Sequence, residues 1–311
     1  MVDTRMLREQ RRINFIRSLL LLAGLLGLAL LLGWVLAGVT GMIWAAAAAA
    51  ATLALGSLAP AGTFLRLQGA RPLPEHMAPT LYAMLRDLAA RVGLESAPTL
   101  QILPANPLAA ATVGSGKETV IALGSGLMRL LSQREMAAVL AHELSHVRHK
   151  DLKLMGLAAV AGQVTQFISL MGQVLVLINL PLWLAGGHPL PWLPLIALML
   201  APWAASLMLM ALSRTREYEA DADAAALTGD PPALASALDK MERASRPFMS
   251  RFFRPGGGNA GDPLLATHPP TRERVARLLR MAGQDPAATP PRPRFQPPPG
   301  FGRFRSSDRP F

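Results

Sequence analysis

Three residues in one short run have types and a spacing that can do chemistry. They are His142, Glu143 and His146, in the string His142-Glu143-Leu144-Ser145-His146. Histidines four apart lie on one helical face, so both imidazoles can reach a single zinc ion. The Glu beside the first His projects next to them, where it can take a proton from zinc-bound water. A catalytic zinc needs a third protein ligand and one open position. The chain has no cysteine, which leaves His or a carboxylate for that third place and excludes disulfide scaffolds and cysteine nucleophiles. The candidates stand far downstream in SRTREYEADADAA (213–225), which holds Glu217, Glu219, Asp221 and Asp223. Glu217 and Asp221 are four apart and share a helical face. One can bind zinc while the other accepts a hydrogen bond from a ligand His and fixes its orientation; Glu219 then points elsewhere. His149, just past the two-His motif, reads as an ordinary histidine on a solvated helix face.

The histidines need a helix to hold their spacing. Ser132-Gln133-Arg134-Glu135 is a capping box, with Ser132 as N-cap and Glu135 at the third helical position, and it opens a helix through MAAVLAHELSHVRHK. Ahead of it, 78–150 reads as a mixed α/β unit. A helix is expected over 78–92 and a strand over 99–103. Two strands, 109–113 and 119–123, flank a turn at Gly114-Ser115-Gly116-Lys117. A phosphate loop would need Gly at 111 and Ser or Thr at 118, and the chain has Ala111 and Glu118 there.

The downstream acids are separated from the histidines by a stretch without charge. From Leu154 to Ser213 there is no Asp, Glu, Lys or Arg, and the same holds from Ser18 to Leu65. With 51% of residues hydrophobic and only 16% charged, against about a quarter in a soluble chain, a simple soluble globule is excluded. Each block is long enough for two bilayer-spanning helices of about 20 residues. The first reads as helices at 16–37 and 42–65 around Gly38-Val39-Thr40-Gly41. The second reads as 154–180 and 195–213 around a Pro/Gly-rich break. The first run far exceeds a signal-peptide core and reads as a retained anchor. Lys and Arg number five in 1–17, ten in 66–153, sixteen in 214–311 and none in the loops at 38–41 and 181–194, which places the charged segments on the cytoplasmic side. The net charge of +11 is thereby a topology signal; no DNA-reading motif or aromatic-studded basic stripe points to nucleic acid. The Pro/Arg-rich tail, 285–311, is expected to be disordered and to lie on anionic lipid, and Gly256-Gly257-Gly258-Asn259 reads as a flexible loop.

The combination resembles the HtpX-type membrane zinc metalloproteases, relatives of the type I CAAX prenyl proteases. The family pattern is His-Glu-x-x-His, a membrane hairpin, then Glu-x-x-Ala-Asp, which stands here as His142 to His146 and Glu217-Tyr-Glu-Ala220-Asp221. The resemblance makes Glu217 the third zinc ligand and Asp221 its neighbour that orients a ligand His. Asn106-Pro107-Leu108-Ala109 resembles the family's Asn-Ala-Phe-Ala segment, whose extended backbone lines the substrate cleft; here Pro107 removes a backbone donor. Thr267-His268-Pro269-Pro270 with Arg274 resembles its C-terminal His-Pro…Arg box, and implies that His268 either helps stabilise the oxyanion or positions the C-terminal helix.

The fold class expected is a multi-pass α-helical membrane protein. It carries a cytoplasmic mixed α/β zincin-like metalloprotease domain built around the two-His zinc-binding helix. The expected division is a basic N-terminus over 1–15, a transmembrane hairpin over 16–65, the protease domain in two parts over 66–153 and 214–284, two further membrane helices over 154–213, and the tail from 285. One Zn2+ per chain is held by His142, His146 and Glu217, with Glu143 as general base. Substrate lies extended against an edge strand near 109–113 or 119–123. His146 is seven residues before Lys153 and Glu217 four after Ser213, so both ligands lie within about 5–12 Å of the bilayer surface. Substrates are therefore expected to be proteins in or emerging from the membrane, and the resemblance implies quality control in the cell inner membrane. The alternatives are CAAX-type processing and a non-catalytic membrane scaffold, which would have no need of Glu143.

Overall fold

The computed structural model describes residues 4–58, 63–104, 108–114, 116–186, 191–252 and 270–284. The first apolar block forms α1 (Thr4–Leu58), interrupted at Ala37 and Gly38, whose φ of +60° is the left-handed conformation glycine adopts freely. A continuous helix would hold Gly33 and Gly41 about 12 Å apart. Instead their backbones touch, and a Cβ on Gly41 would lie 2.0 Å from the Gly33 carbonyl oxygen. The helix thus folds back on itself as a hairpin tighter than the four-residue loop the sequence suggests, because glycines at 33, 38 and 41 permit the contact. A short helix, α2 (Thr63–Leu67), leads into the mixed α/β part.

The sheet is small and mixed. Its strands are β1 (Arg71–Pro72), β2 (Thr99–Leu103), β3 (Ala110–Val113) and β4 (Val120–Gly124), in spatial order β1-β2-β4-β3. β2 runs parallel to β4, and β3 runs antiparallel to it with Ala110 opposite Leu123 and Val113 opposite Val120. The hairpin expected around 114–117 is present. Of the two strands offered as an edge, 119–123 is internal and 109–113 is the free one. α3 (Pro79–Val92), ended by Gly93 in the left-handed region, α4 (Ser125–Leu130) and α5 (Gln133–His149) complete this part. They bury Leu85, Leu100, Ile121, Leu123, Leu127, Leu140 and Leu144 in one core. The Ser132–Glu135 capping box is formed at the start of α5. Glu135 also accepts hydrogen bonds from Ser236 (2.6 Å) and Lys240 (2.7 Å) on α8 (Pro231–Phe252), tying the two halves of the domain together.

The second apolar block forms α6 (Asp151–Leu184) and α7 (Trp192–Thr228), which pack with α1 as a bundle. Both begin or end outside the expected limits. Pro181 sits in the last turn of α6 and does not stop it, and Pro194 sits in the first turn of α7, where its missing N–H has no partner to lose. Pro202, inside α7, leaves the Leu198 carbonyl without its helical donor, and the Ser169 hydroxyl of α6 donates to it at 2.6 Å. The last helix is α9 (Thr271–Met281). Two consequences bear on the site. α7 passes without a break from the apolar block into the acidic run, and α6 starts one residue after the helix that carries the histidines.

Candidate metal centre

α5 places His142, Glu143 and His146 on its buried side, and the acidic C-terminal part of α7 brings Glu217 against them. The two imidazole Nε2 atoms are 3.2 Å apart. Glu217 oxygens lie 3.5 Å from the His142 Nε2 and 3.7 Å from the His146 Nε2. A tetrahedral site with bonds of about 2.0–2.1 Å has ligand–ligand edges of about 3.3–3.4 Å. The three side chains therefore fit one zinc-sized ion. Among the described residues they form the one such group of His, Asp and Glu.

What lies behind the histidines decides which nitrogen each one offers. The Nδ1 of His142 is 3.1 Å from Asp221, and the Nδ1 of His146 is 2.8 Å from Asp151. The hydrogen bond from His146 to Asp151 and the ion-pair contact of His142 with Asp221 favour hydrogen on both Nδ1 atoms and leave both Nε2 atoms facing Glu217. Electron-rich atoms at these distances repel one another unless a cation sits among them. In the metal-free state that cation is a proton. Burial disfavours charge on His142, but hydrogen bonding to Asp221 and Glu217 and the Glu217 charge outweigh it, so its pKa is raised. A metal ion must displace that proton. We expect apparent metal affinity to rise with pH, by about tenfold per unit for each proton released, until the raised pKa is passed. For folding of the metal-free protein the sign is opposite. The His142 contribution is complete below the unfolded imidazole pKa of about 6.5 and is lost as pH rises through the raised folded value. Titrating metal at several pH values, alongside unfolding of the metal-free protein, checks both.

Each orienting carboxylate is in turn held by a buried arginine. Arg274, from α9, is bidentate on Asp221 (Nε to Oδ2 2.8 Å, Nη2 to Oδ1 2.7 Å) and reaches Glu217 at 3.0 Å. The two carboxylates around it raise its pKa further above the ordinary guanidinium value despite burial. Arg216, from α7, contacts Asp151 and Glu219, each at 2.6 Å. Two chains of the same order, His142–Asp221–Arg274 and His146–Asp151–Arg216, thus flank the centre. Asp151 reaches His146 because Lys150, at φ +56°, breaks the helix between them. It is the one non-glycine residue with positive φ among the described residues. Lys150→Gly relieves a left-handed Cβ and is expected to stabilise the fold by about 0.5–1 kcal/mol in thermal unfolding, whereas Lys150→Val is expected to destabilise it.

Glu143 is buried, and one of its oxygens accepts from the Thr112 hydroxyl of β3 at 2.5 Å. The general-base candidate therefore faces the free strand of the sheet. Ala109 precedes that strand, and its carbonyl accepts from the Gly124 N–H at 2.7 Å. By the alternation of an antiparallel ladder, the backbone groups of Ala110 and Thr112 turn to the free edge. Asn106 and His268 lie outside the described residues.

Sequence reasoning missed four features. Asp151 stands five from His146, a spacing that misses the face of a continuous helix and meets it only through the break at Lys150. Arg216 sits in plain view among the acids, and four carboxylates in seven residues were themselves a sign that buried cations must balance them. Thr112 carried no signal. His149 is not on a solvated face: its Nε2 is 2.7 Å from Asp223, which joins α5 to α7.

A two-His, one-Glu metal site beside a carboxylate, carried on helices that run into the membrane, defines the class: a membrane metalloprotease. Residues 75–282 match the protein-family model described as Peptidase family M48. A Protease HtpX homolog of Ralstonia nicotianae is 36% identical over 288 residues, covering 86% of this chain and 97% of that one. One from Pseudarthrobacter chlorophenolicus is 40% identical over 242 residues, covering 71% and 78%. The crystal structure of S. mikatae Ste24p is similar with a TM-score of 0.49 and 20% identity, over 87% of this chain and 66% of that one. The chain belongs to peptidase family M48, among its HtpX-like proteases.

Proposed function

We propose that the chain is a zinc endopeptidase that cuts proteins in, or emerging from, the inner membrane, working at the cytoplasmic surface in membrane protein quality control. The observation that carries this reading is the path of α7. Glu217 stands four residues beyond the apolar block on the same uninterrupted helix, which supports a metal site held close to the bilayer surface. The excess of Lys and Arg on the segments bearing the site supports the cytoplasmic orientation.

His142, His146 and Glu217 would hold the zinc, and one open position on it would supply Lewis-acid polarisation of a water and of the scissile carbonyl. The remaining steps belong to the chain. Substrate pairs in extended form with the free edge of β3, through the backbone groups of Ala110 and Thr112. Thr112 holds one Glu143 oxygen, leaving the other to take the proton of the attacking water and deliver it to the leaving amine nitrogen. Asp221 and Asp151 keep the imidazoles aligned, and Arg274 and Arg216 hold those two carboxylates in place.

Reconstitution into vesicles tests the proposal. One zinc per chain is expected, and a substrate segment tethered to the same bilayer should be cut at least about tenfold faster than the identical soluble peptide, because tethering raises its effective concentration at the site. Equal rates would remove the membrane-substrate part of the reading. Absence of both bound zinc and cleavage would remove the enzyme reading.

A further inference from the structure

One face of α6 carries side chains that the site does not use and that lipid does not suit. Gln163, Gln166 and Gln173 lie within the charge-free block, and all three are exposed on the outside of the bundle. None of their amides has a hydrogen-bonding partner in the chain among the described residues. Polar side chains inside a bilayer ordinarily face the bundle interior or a partner. Here the interior positions are filled by other residues: Thr165 donates to its own helix, Ser169 to Leu198, and the glutamines point away from both.

The spacing of that face is regular. Gly156, Ala159, Gln163, Gln166, Leu170, Gln173 and Leu177 alternate three and four residues apart, and every one of them is exposed. A 3.5-residue repeat is the seam of a left-handed helix pair. From Gly156 to Leu177 it spans 21 residue steps, about 31 Å at 1.5 Å per residue, which is the whole hydrocarbon thickness. A Cβ at Gly156 would meet nothing within 4 Å, so a second backbone can approach closely there.

We propose that this seam is the interface between two copies of the chain, paired α6 to α6 about a two-fold axis along the membrane normal. The argument for a second copy is self-complementarity. All copies insert with the same orientation, so two α6 helices meet in parallel with identical residues at identical depth. Each glutamine then faces its own counterpart. A primary amide both donates and accepts, so Gln163, Gln166 and Gln173 each satisfy their partner-copy equivalents. An unrelated helix has no reason to present amides at these three depths.

The absence of cysteine makes the test direct. Leu170→Cys puts one thiol at the centre of the seam, 51% exposed in the single chain, and Leu20→Cys on α1, 66% exposed, puts one on a lipid-facing control position. In vesicles treated with copper–phenanthroline, which takes two electrons and two protons from a thiol pair to form one disulfide, Leu170→Cys is expected to give a covalent dimer and Leu20→Cys none. Adding Gln163→Leu, Gln166→Leu and Gln173→Leu to Leu170→Cys is expected to reduce the dimer at least tenfold while bound zinc stays unchanged, since these positions touch neither the core nor the site. No dimer from Leu170→Cys, equal dimer from both single-cysteine chains, or a dimer insensitive to the three leucines would overturn the proposal. A disulfide formed instead with a cysteine-bearing substrate helix would also overturn it, by assigning the seam to substrate.

Discussion

Glu143→Gln is expected to keep one zinc per chain and to slow peptide hydrolysis by about 10³-fold. The carboxylate is not among the three side chains whose donor atoms converge, so removing its charge leaves the metal-holding set intact. It is the group that faces both that set and the free strand, through Thr112. The amide is nearly isosteric and still accepts from the Thr112 hydroxyl, but it cannot take up a proton. A positioned base contributes about 10²- to 10⁴-fold. The informative measurement pairs metal stoichiometry with turnover on the same sample. Loss of metal together with activity would show that Glu143 supports the centre structurally, and unchanged turnover would show that the base lies elsewhere. Thr112→Val should fall between the two proteins, since it frees the carboxylate to turn without removing it.

The second large effect belongs to a residue that never touches the metal. Arg274→Ala is expected to cost about 3–5 kcal/mol in stability and to release zinc at concentrations the unaltered protein retains it. Asp221 and Glu217 are both buried and both lean on this one guanidinium, at 2.7 and 3.0 Å. Taking it away leaves two carboxylates facing each other in a poorly solvated place, and removing one partner of a buried ion pair is costly for that reason. Asp221 then loses the group that holds it against His142, and Glu217 loses the cation that balances it. Arg274→Lys keeps the charge but not the two-pronged contact on Asp221, so intermediate stability with weakened metal retention is expected. Unfolding in detergent with and without a chelator separates the two contributions. If Arg274→Ala binds zinc normally, Arg274 is only a packing residue.

The sequence was most readable where function depends on local spacing. The histidine pair, the capping box that starts its helix, and Glu217 four residues from Asp221 are properties of single helices, and a 3.6-residue period is enough to place them. The strands around 114–117 were equally local, because a turn motif between two β-prone runs forms a hairpin. What escaped notice was set by contacts between distant elements. The arginine chains join α5, α6, α7 and α9, and no periodicity within one element indicates which carboxylate a cation from another will meet. The position of 119–123 inside the sheet was hidden for a related reason: its parallel pairing with β2 crosses over a hairpin. His149 shows the converse error, a residue one turn beyond a motif treated as solvent-facing until α7 is packed against it. Helix limits shifted too, since prolines expected to end α6 and delay α7 sit in end turns where they do little harm.

The unbroken course of α7 has a consequence for how the protein comes into being. Glu217 follows His146 by 71 residues in the order of synthesis, and between the two lies the 60-residue charge-free block, 154–213. Until α6 and α7 have folded back on each other, two histidines and a base stand without the carboxylate that completes the set. Completion of the metal-holding set is thus tied to assembly of the α1, α6 and α7 bundle itself.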